Sequence, residues 1–144
     1  MRKLVVAICF FPLLVAGVAL AHVAEHRAGL SGSKVVPGPG DPDASGRARI
    51  KSASQAETVC YRITFKGMPR PTAGHLHLGG PDETGEKIVK LFASKKGKRS
   101  PIEGCRHEVP ASVIEQFHDN PTYVDLHNDR YPDGAVRGQL RFVE

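Results

Sequence analysis

Two histidines one residue apart, His75 and His77, stand between glycines in the run Gly74-His75-Leu76-His77-Leu78-Gly79-Gly80. A third, His127, closes the run Tyr123-Val124-Asp125-Leu126-His127. On a β-strand alternate side chains share a face, so His75 and His77 point one way and Leu76 and Leu78 the other. Residues i and i+2 lie about 7 Å apart at Cα, near enough for both imidazoles to reach one ion. Neutral imidazole suits copper, and after it zinc, better than magnesium or calcium. A third histidine would complete a chelate, with Asp125 behind it to orient a ring. The plain alternative is a set of exposed strand histidines that share no partner.

Parity decides which way these groups face. Leu76 and Leu78 claim the core in one strand, Val124 and Leu126 in the second, and Val136, Leu140 and Phe142 in a third. That sends His75, His77, Tyr123, Asp125, His127 and Arg137 to outer faces, provided no bulge flips a strand midway. The expectation is a three-imidazole site on an outer wall, with Arg137 also turned outward.

The remaining chain reads as the scaffold for that wall. Residues 28–36 alternate loosely and run into Pro37-Gly38-Pro39-Gly40, which predicts a first edge strand and a stiff turn. Residues 46–51 and 57–66 alternate, the second most clearly, with Val59, Tyr61, Ile63 and Phe65 on one face. Residues 87–92 and 135–143 add strands. A helix is expected only over residues 110–118, where Pro110 suits a first turn and Val113, Ile114 and Phe117 fall on one side. Seven or eight short strands and one short helix predict an all-β fold, a Greek-key β-sandwich or barrel.

The first 21 residues stand apart from this pattern. Arg2 and Lys3 precede an almost wholly apolar run, residues 4–20, and Ala19-Leu20-Ala21 offers small residues at a cleavage point. We read residues 1–21 as a signal peptide, with an uncleaved anchor as the alternative, and residues 22–144 as one exported domain, periplasmic or secreted. With Cys9 in the leader, Cys60 and Cys105 remain, an even pair that in an oxidising compartment reads as a disulfide. A new terminus at His22 would offer an α-amine and an imidazole, with His26 close by, as a second place for copper. A frayed terminus that happens to hold histidine is the simpler account.

The net charge of +5 falls to +3 without Arg2 and Lys3. Much of the excess lies in Lys95-Lys96-Gly97-Lys98-Arg99, a Gly-punctuated run with no aromatic for base stacking, so nucleic acid is a poor candidate partner. A solvated loop is the better reading, and peripheral attraction to an anionic cell surface the alternative.

Several of these stretches together resemble a known module. The histidine run, Ile88-Val89-Lys90-Leu91-Phe92, Tyr123 to His127, and Tyr131-Pro132-Asp133-Gly134-Ala135-Val136-Arg137-Gly138-Gln139-Leu140 are similar to the CHRD domain, named for chordin and common in exported bacterial proteins. Leu30-Ser31-Gly32 and Cys60 also fit, and the resemblance covers about residues 28–143. Lys34-Val35-Val36-Pro37 departs from it, because many members carry an acidic residue before Val-Pro. A fainter resemblance is to copper–zinc superoxide dismutase, a Greek-key barrel with a His-x-His copper strand. It would give His75, His77 and His127 as copper ligands and Arg137 as the anion guide. The loop after His77 lacks the bridging histidine and the other zinc ligands of that enzyme.

Three functions follow as expectations: exported metal handling or protection at His75, His77 and His127; a mononuclear, superoxide-dismutase-like enzyme; or a structural or adhesive module without metal. No nucleophile–base–orienter set, phosphate loop or paired catalytic carboxylates supports a hydrolase.

Overall fold

The computed structural model describes residues 22–144, so the expected leader lies outside the described residues. Strands β1 (Ala24–Ser31), β2 (Ser45–Ala53) and β3 (Thr58–Lys66) form an antiparallel meander in unbroken register. The chain then crosses to the β4 (Ala73–Leu78) and β5 (Lys87–Ala93) hairpin and returns to lay β6 (Ile102–Arg106) along β3. Helix α1 (Ala111–Asp119) leads back over to β7 (Thr122–His127), and β8 (Val136–Gln139) and β9 (Arg141–Val143) close on β1. The hydrogen-bonded order β5-β4-β7-β8-β1-β2-β3-β6 curls into a nearly closed barrel, because β5 and β6, at its two ends, approach each other. The expected all-β class with one short helix holds.

The core follows the alternation. Ile50, Val59, Ile63, Leu76, Leu91, Val124, Leu126 and Val136 point inward and are almost wholly removed from water, and Ile114 and Phe117 of α1 plug the barrel. Burial of such aliphatic side chains contributes about 1.5–3 kcal/mol each, the main term holding the sheet closed.

Three expectations change. The first strand begins at Ala24, earlier than the alternation of residues 28–36 implied, and it is central, flanked by β2 on one side and by β8 and β9 on the other. Residues 135–143 are two strands separated at Leu140, although the Leu140 amide still bonds to Thr122 O (2.8 Å) in the β7 register. Beyond it Phe142 keeps the side of its register partner His26, ring against ring, yet is 57% exposed. In β7 both faces are covered, so Tyr123 and Asp125 are buried where strand parity alone left them in the open.

His26 is buried as well, its ring among those of Phe117, His118 and Phe142 at centroid distances of 5.0–5.5 Å, and its Nδ1 has no partner. His22 is exposed ahead of β1, and the two do not gather into a group that could hold a metal.

Cys60 and Cys105 are register partners on β3 and β6, with Cα atoms 3.9 Å apart and their sulfurs bonded. The bond fastens the last strand of the path, beside the seam with β5. Removing it frees a 46-residue loop in the unfolded chain, worth about 4 kcal/mol on the chain-entropy model. A Cys60→Ala/Cys105→Ala variant should lose stability on that scale in denaturant unfolding, with the amides of Ile102–Arg106 first to lose exchange protection.

Burial lowers the pKa of His26, helped by its neighbour His118, and burial likewise lowers that of His118. Both favour the neutral ring when folded, so their contribution to stability is complete above the ordinary histidine value of about 6.5 and is lost as pH falls through the lowered value. His26→Phe keeps an aromatic ring there and removes the proton. The difference in Tm between this variant and the parent should move in the variant's favour from pH 7.5 to pH 5; a constant difference would refute the assignment.

Candidate metal centre

The β4–β7 register assembles the site. His75 lies opposite Asp125, His77 opposite Tyr123 and Ala73 opposite His127, without a shift along the whole pair. The irregularities fall on the other side of β4, where the β4–β5 register slips at Gly74/His75 and again at Leu76/His77. The parity of β4 therefore survives against β7. Gly74 is required at the start of this strand, since a Cβ there would meet Phe92 Cε1 at 2.5 Å.

The register puts Asp125 at the centre of the three imidazoles, in contact with each. Its Oδ1 lies 3.4 Å from His75 Nδ1 and 3.0 Å from His127 Nε2, and its Oδ2 lies 3.2 Å from His77 Nε2. The three rings come from two strands, and His75 stands 5.0 Å from His127 and 5.7 Å from His77 between centroids. Side-chain exposures of 10–17% place the group beneath the surface, not on an open wall. An opening of about 410 Å³ reaches it past Thr72, Lys87 and Asn128.

The donor atoms pass a test of fit for a metal ion. One ligand atom from each of His75, His77, Asp125 and His127 lies within 4.8 Å of every other. His75 Nδ1, His77 Nε2, Asp125 Oδ1 and His127 Nε2 are all buried, and none completes a hydrogen bond despite the short separations. Buried polar atoms left so are rare and costly. Four of them converging on one point is the arrangement an ion would satisfy.

The outer nitrogens of two rings settle which nitrogen faces inward. His77 Nδ1 donates to Gly85 O (3.0 Å) and His127 Nδ1 donates to Pro132 O (2.8 Å). A proton held at Nδ1 leaves Nε2 with its lone pair turned to the site, the usual way a protein fixes a metal-binding tautomer. Both carbonyls belong to loops. Gly85 can come so close because it lacks a side chain: a Cβ would sit 1.5 Å from Leu78 O. Pro132 sits in a turn braced by Asn128, whose Oδ1 accepts from the amides of Arg130 (3.0 Å) and Tyr131 (2.9 Å).

Electrostatics bind the group together without an ion. Burial alone would lower the pKa of His77 and of His127, but the Asp125 carboxylate outweighs it and raises both. Burial would raise Asp125, and attraction to the three imidazoles beside it instead holds it far below the usual carboxylate range.

Arg137 has a different setting from the one expected. It lies opposite Asp125 in the register but is 3% exposed, and its guanidinium donates to Glu83 O (2.7 Å) and Gly80 O (2.5 Å). It also covers one face of Tyr123 at 3.4 Å from the ring centroid, while His77 stacks in parallel on Tyr123 at 4.9 Å. Gln139 Nε2 adds a bond to Gly79 O (2.7 Å). These contacts pin the loop of residues 79–86, the one that supplies the carbonyl to His77.

Sequence reasoning thus found the three histidines and gave Asp125 a place behind them, where the register puts it among the donors. It missed Tyr123, Lys87 and the two loop carbonyls. The carbonyls carry no side-chain signal, and only the folded loops could reveal them. The basic run of residues 95–99 is a turn between β5 and β6, with Lys98 Nζ above the Phe92 ring at 5.9 Å.

No curated protein matches this chain, and no solved structure does. The family model described as the CHRD domain matches residues 26–140, a span that includes every donor of the site, and the chain therefore belongs to the CHRD domain family.

Proposed function

We propose that this protein is an exported CHRD-domain protein that holds one transition-metal ion, copper in preference to zinc, through His75, His77, His127 and Asp125. The observation that carries the reading is the convergence of four buried donor atoms that make no hydrogen bonds. Three imidazoles and a carboxylate suit both ions, and the general order of divalent affinities favours copper. The disulfide between β3 and β6 and the family support an extracytoplasmic setting, and residues 1–21 would supply the export signal.

Holding or buffering the ion fits better than turnover. With Asp125 among the donors the protein supplies four ligands by itself, the closed arrangement typical of structural sites. Arg137, the residue that would draw in a small anion, has both arms occupied by backbone carbonyls. The ion's role in the fold would be to replace mutual imidazole–carboxylate attraction with coordination.

Calorimetric titration of the protein beginning at His22 should show one copper ion bound, with nitrogen couplings in its electron paramagnetic resonance spectrum. His77→Ala/His127→Ala should weaken binding by about 100-fold or more, while a chain trimmed before Ala24 keeps the site. Undiminished binding by the double variant would refute it. Affinity should fall on acidification, beginning above pH 6.5, because Asp125 makes the His77 and His127 rings stronger proton acceptors and protons compete with the ion.

Arg137→Met tests the loop clamp. It removes two bonds to the loop carbonyls, so metal affinity should drop by about tenfold through the loosened Gly85–His77 bond, with the donor set intact. Unchanged affinity would show that the loop holds its place without the guanidinium.

A further inference from the structure

The cationic character of this chain is concentrated where no run of sequence shows it. Arg141 on β9 lies opposite Arg27 on β1, Arg27 opposite Arg49 on β2, and Arg49 opposite Arg62 on β3. Four arginines thus stand in one cross-strand row over four adjacent strands. At the usual spacing of strands the row spans about 14 Å. Like charges directly opposite one another on a sheet are destabilising, and here three consecutive pairs are alike.

Neutralisation within the chain is partial. Glu25 receives Arg27 at 2.7 Å, Arg49 at 3.3 Å and Lys51 at 3.8 Å, one carboxylate shared among three cations. Glu103 pairs with Arg62 at the end of the row. Arg141 has no carboxylate partner among the described residues, and neither does Arg47, which stands beside the row on β2. These side chains line a groove of about 860 Å³ whose walls include Lys34 and the loop residues Pro81 and Asp82, and Asp82 is the one carboxylate in its lining. Phe142 and Val143 of β9 complete its border, the Phe142 ring itself turning to the other side of the sheet against His26.

We propose that this groove binds a linear acidic polysaccharide, its carboxylate or sulfate groups set against successive arginines. Guanidinium forks recognise such oxyanions in two-point fashion, which ammonium groups do not. The recess and the single-file row suit a polymer strand better than the plane of a bilayer. The proposal does not depend on the metal reading, since none of the four metal donors lines the groove.

The probe is a polygalacturonate fragment titrated calorimetrically into the protein at about 0.15 M salt, where weak surface attraction is largely screened. Arg49→Gln/Arg141→Gln should weaken binding by about tenfold, and the salt dependence should become shallower, as it does when ionic contacts are lost. Lys95→Gln/Lys96→Gln removes the same charge elsewhere and should leave affinity within about twofold. The groove variant should melt no lower than the parent, because all three like-charge contacts of the row are relieved. Arg49→Lys/Arg141→Lys keeps the charge but not the fork and should fall between.

Equal losses in the two glutamine variants would overturn the proposal, since net charge alone would then explain binding. So would no binding by the parent, a groove variant that melts well below it, or tighter arginine-dependent binding to phosphatidylglycerol vesicles or single-stranded DNA.

Discussion

A carboxylate taken out of water must be answered by its surroundings, and Asp125 sets that demand at the centre of β7. Strand β7 is covered on both faces, so Asp125 cannot turn to solvent. Three imidazoles answer it, two from β4 and one from β7 itself. The arrangement is reciprocal: the carboxylate raises the basicity of His77 and His127, and the rings hold Asp125 ionised. A buried pair of this kind is weak evidence for stability by itself, because desolvation offsets attraction. Its persistence alongside four donor atoms without hydrogen bonds is better explained by a ligand than by the fold.

The loops are the second requirement. An imidazole can serve a metal only if its other nitrogen is held, and here the holders are main-chain oxygens of Gly85 and Pro132. Each carbonyl is in turn fixed by something specific. Asn128 braces the turn that carries Pro132, while Arg137 and Gln139 tie down the loop that carries Gly85. The Tyr-Pro-x-Gly-x-x-Arg-Gly-Gln-Leu stretch, Tyr131 to Leu140, therefore reads as the apparatus that positions two histidines from outside. Its Arg and Gln face one loop, and its Pro lies in the other.

How much of this was legible depends on the kind of information involved. Alternation named inward residues of β3, β4 and β7 such as Val59, Ile63, Leu76, Val124 and Leu126 correctly, although Leu78 of β4 is only half-buried and β7 is covered on its other face too. Alternation failed where a face is left open or both faces are covered. Phe142 takes the same side as its register partner His26, as its parity implied, but stays 57% exposed there. Asp125 looked exposed because period-two reasoning knows which face a residue takes but not what lies over that face. His26 was expected in a frayed terminus, and its packing in β1 went unread because its ring neighbours, Phe117 and Phe142, are distant in sequence. Register is the missing quantity in each case.

Register also explains why the two chemical features of the barrel stay separate. The cluster of three histidines and Asp125 depends on β4 lying against β7, and the arginine row on β1 lying between β2 and β9. Strand β8 is the boundary, paired to β7 along its length and to β1 at Ser31–Arg137. Arg137 sits at that boundary with one face on Tyr123 and a place in the lining of the groove. Burial pulls its guanidinium below the usual arginine value, against the opposing pull of Tyr123, Asp125, Asp82 and Glu83, and it keeps its charge with carbonyl oxygens as its direct partners. A lysine could not span two carbonyls and cover a ring at once, because only a planar fork does both. The position therefore demands arginine on structural grounds alone, and its charge adds to the groove as a consequence of holding the loop whose carbonyl bonds His77.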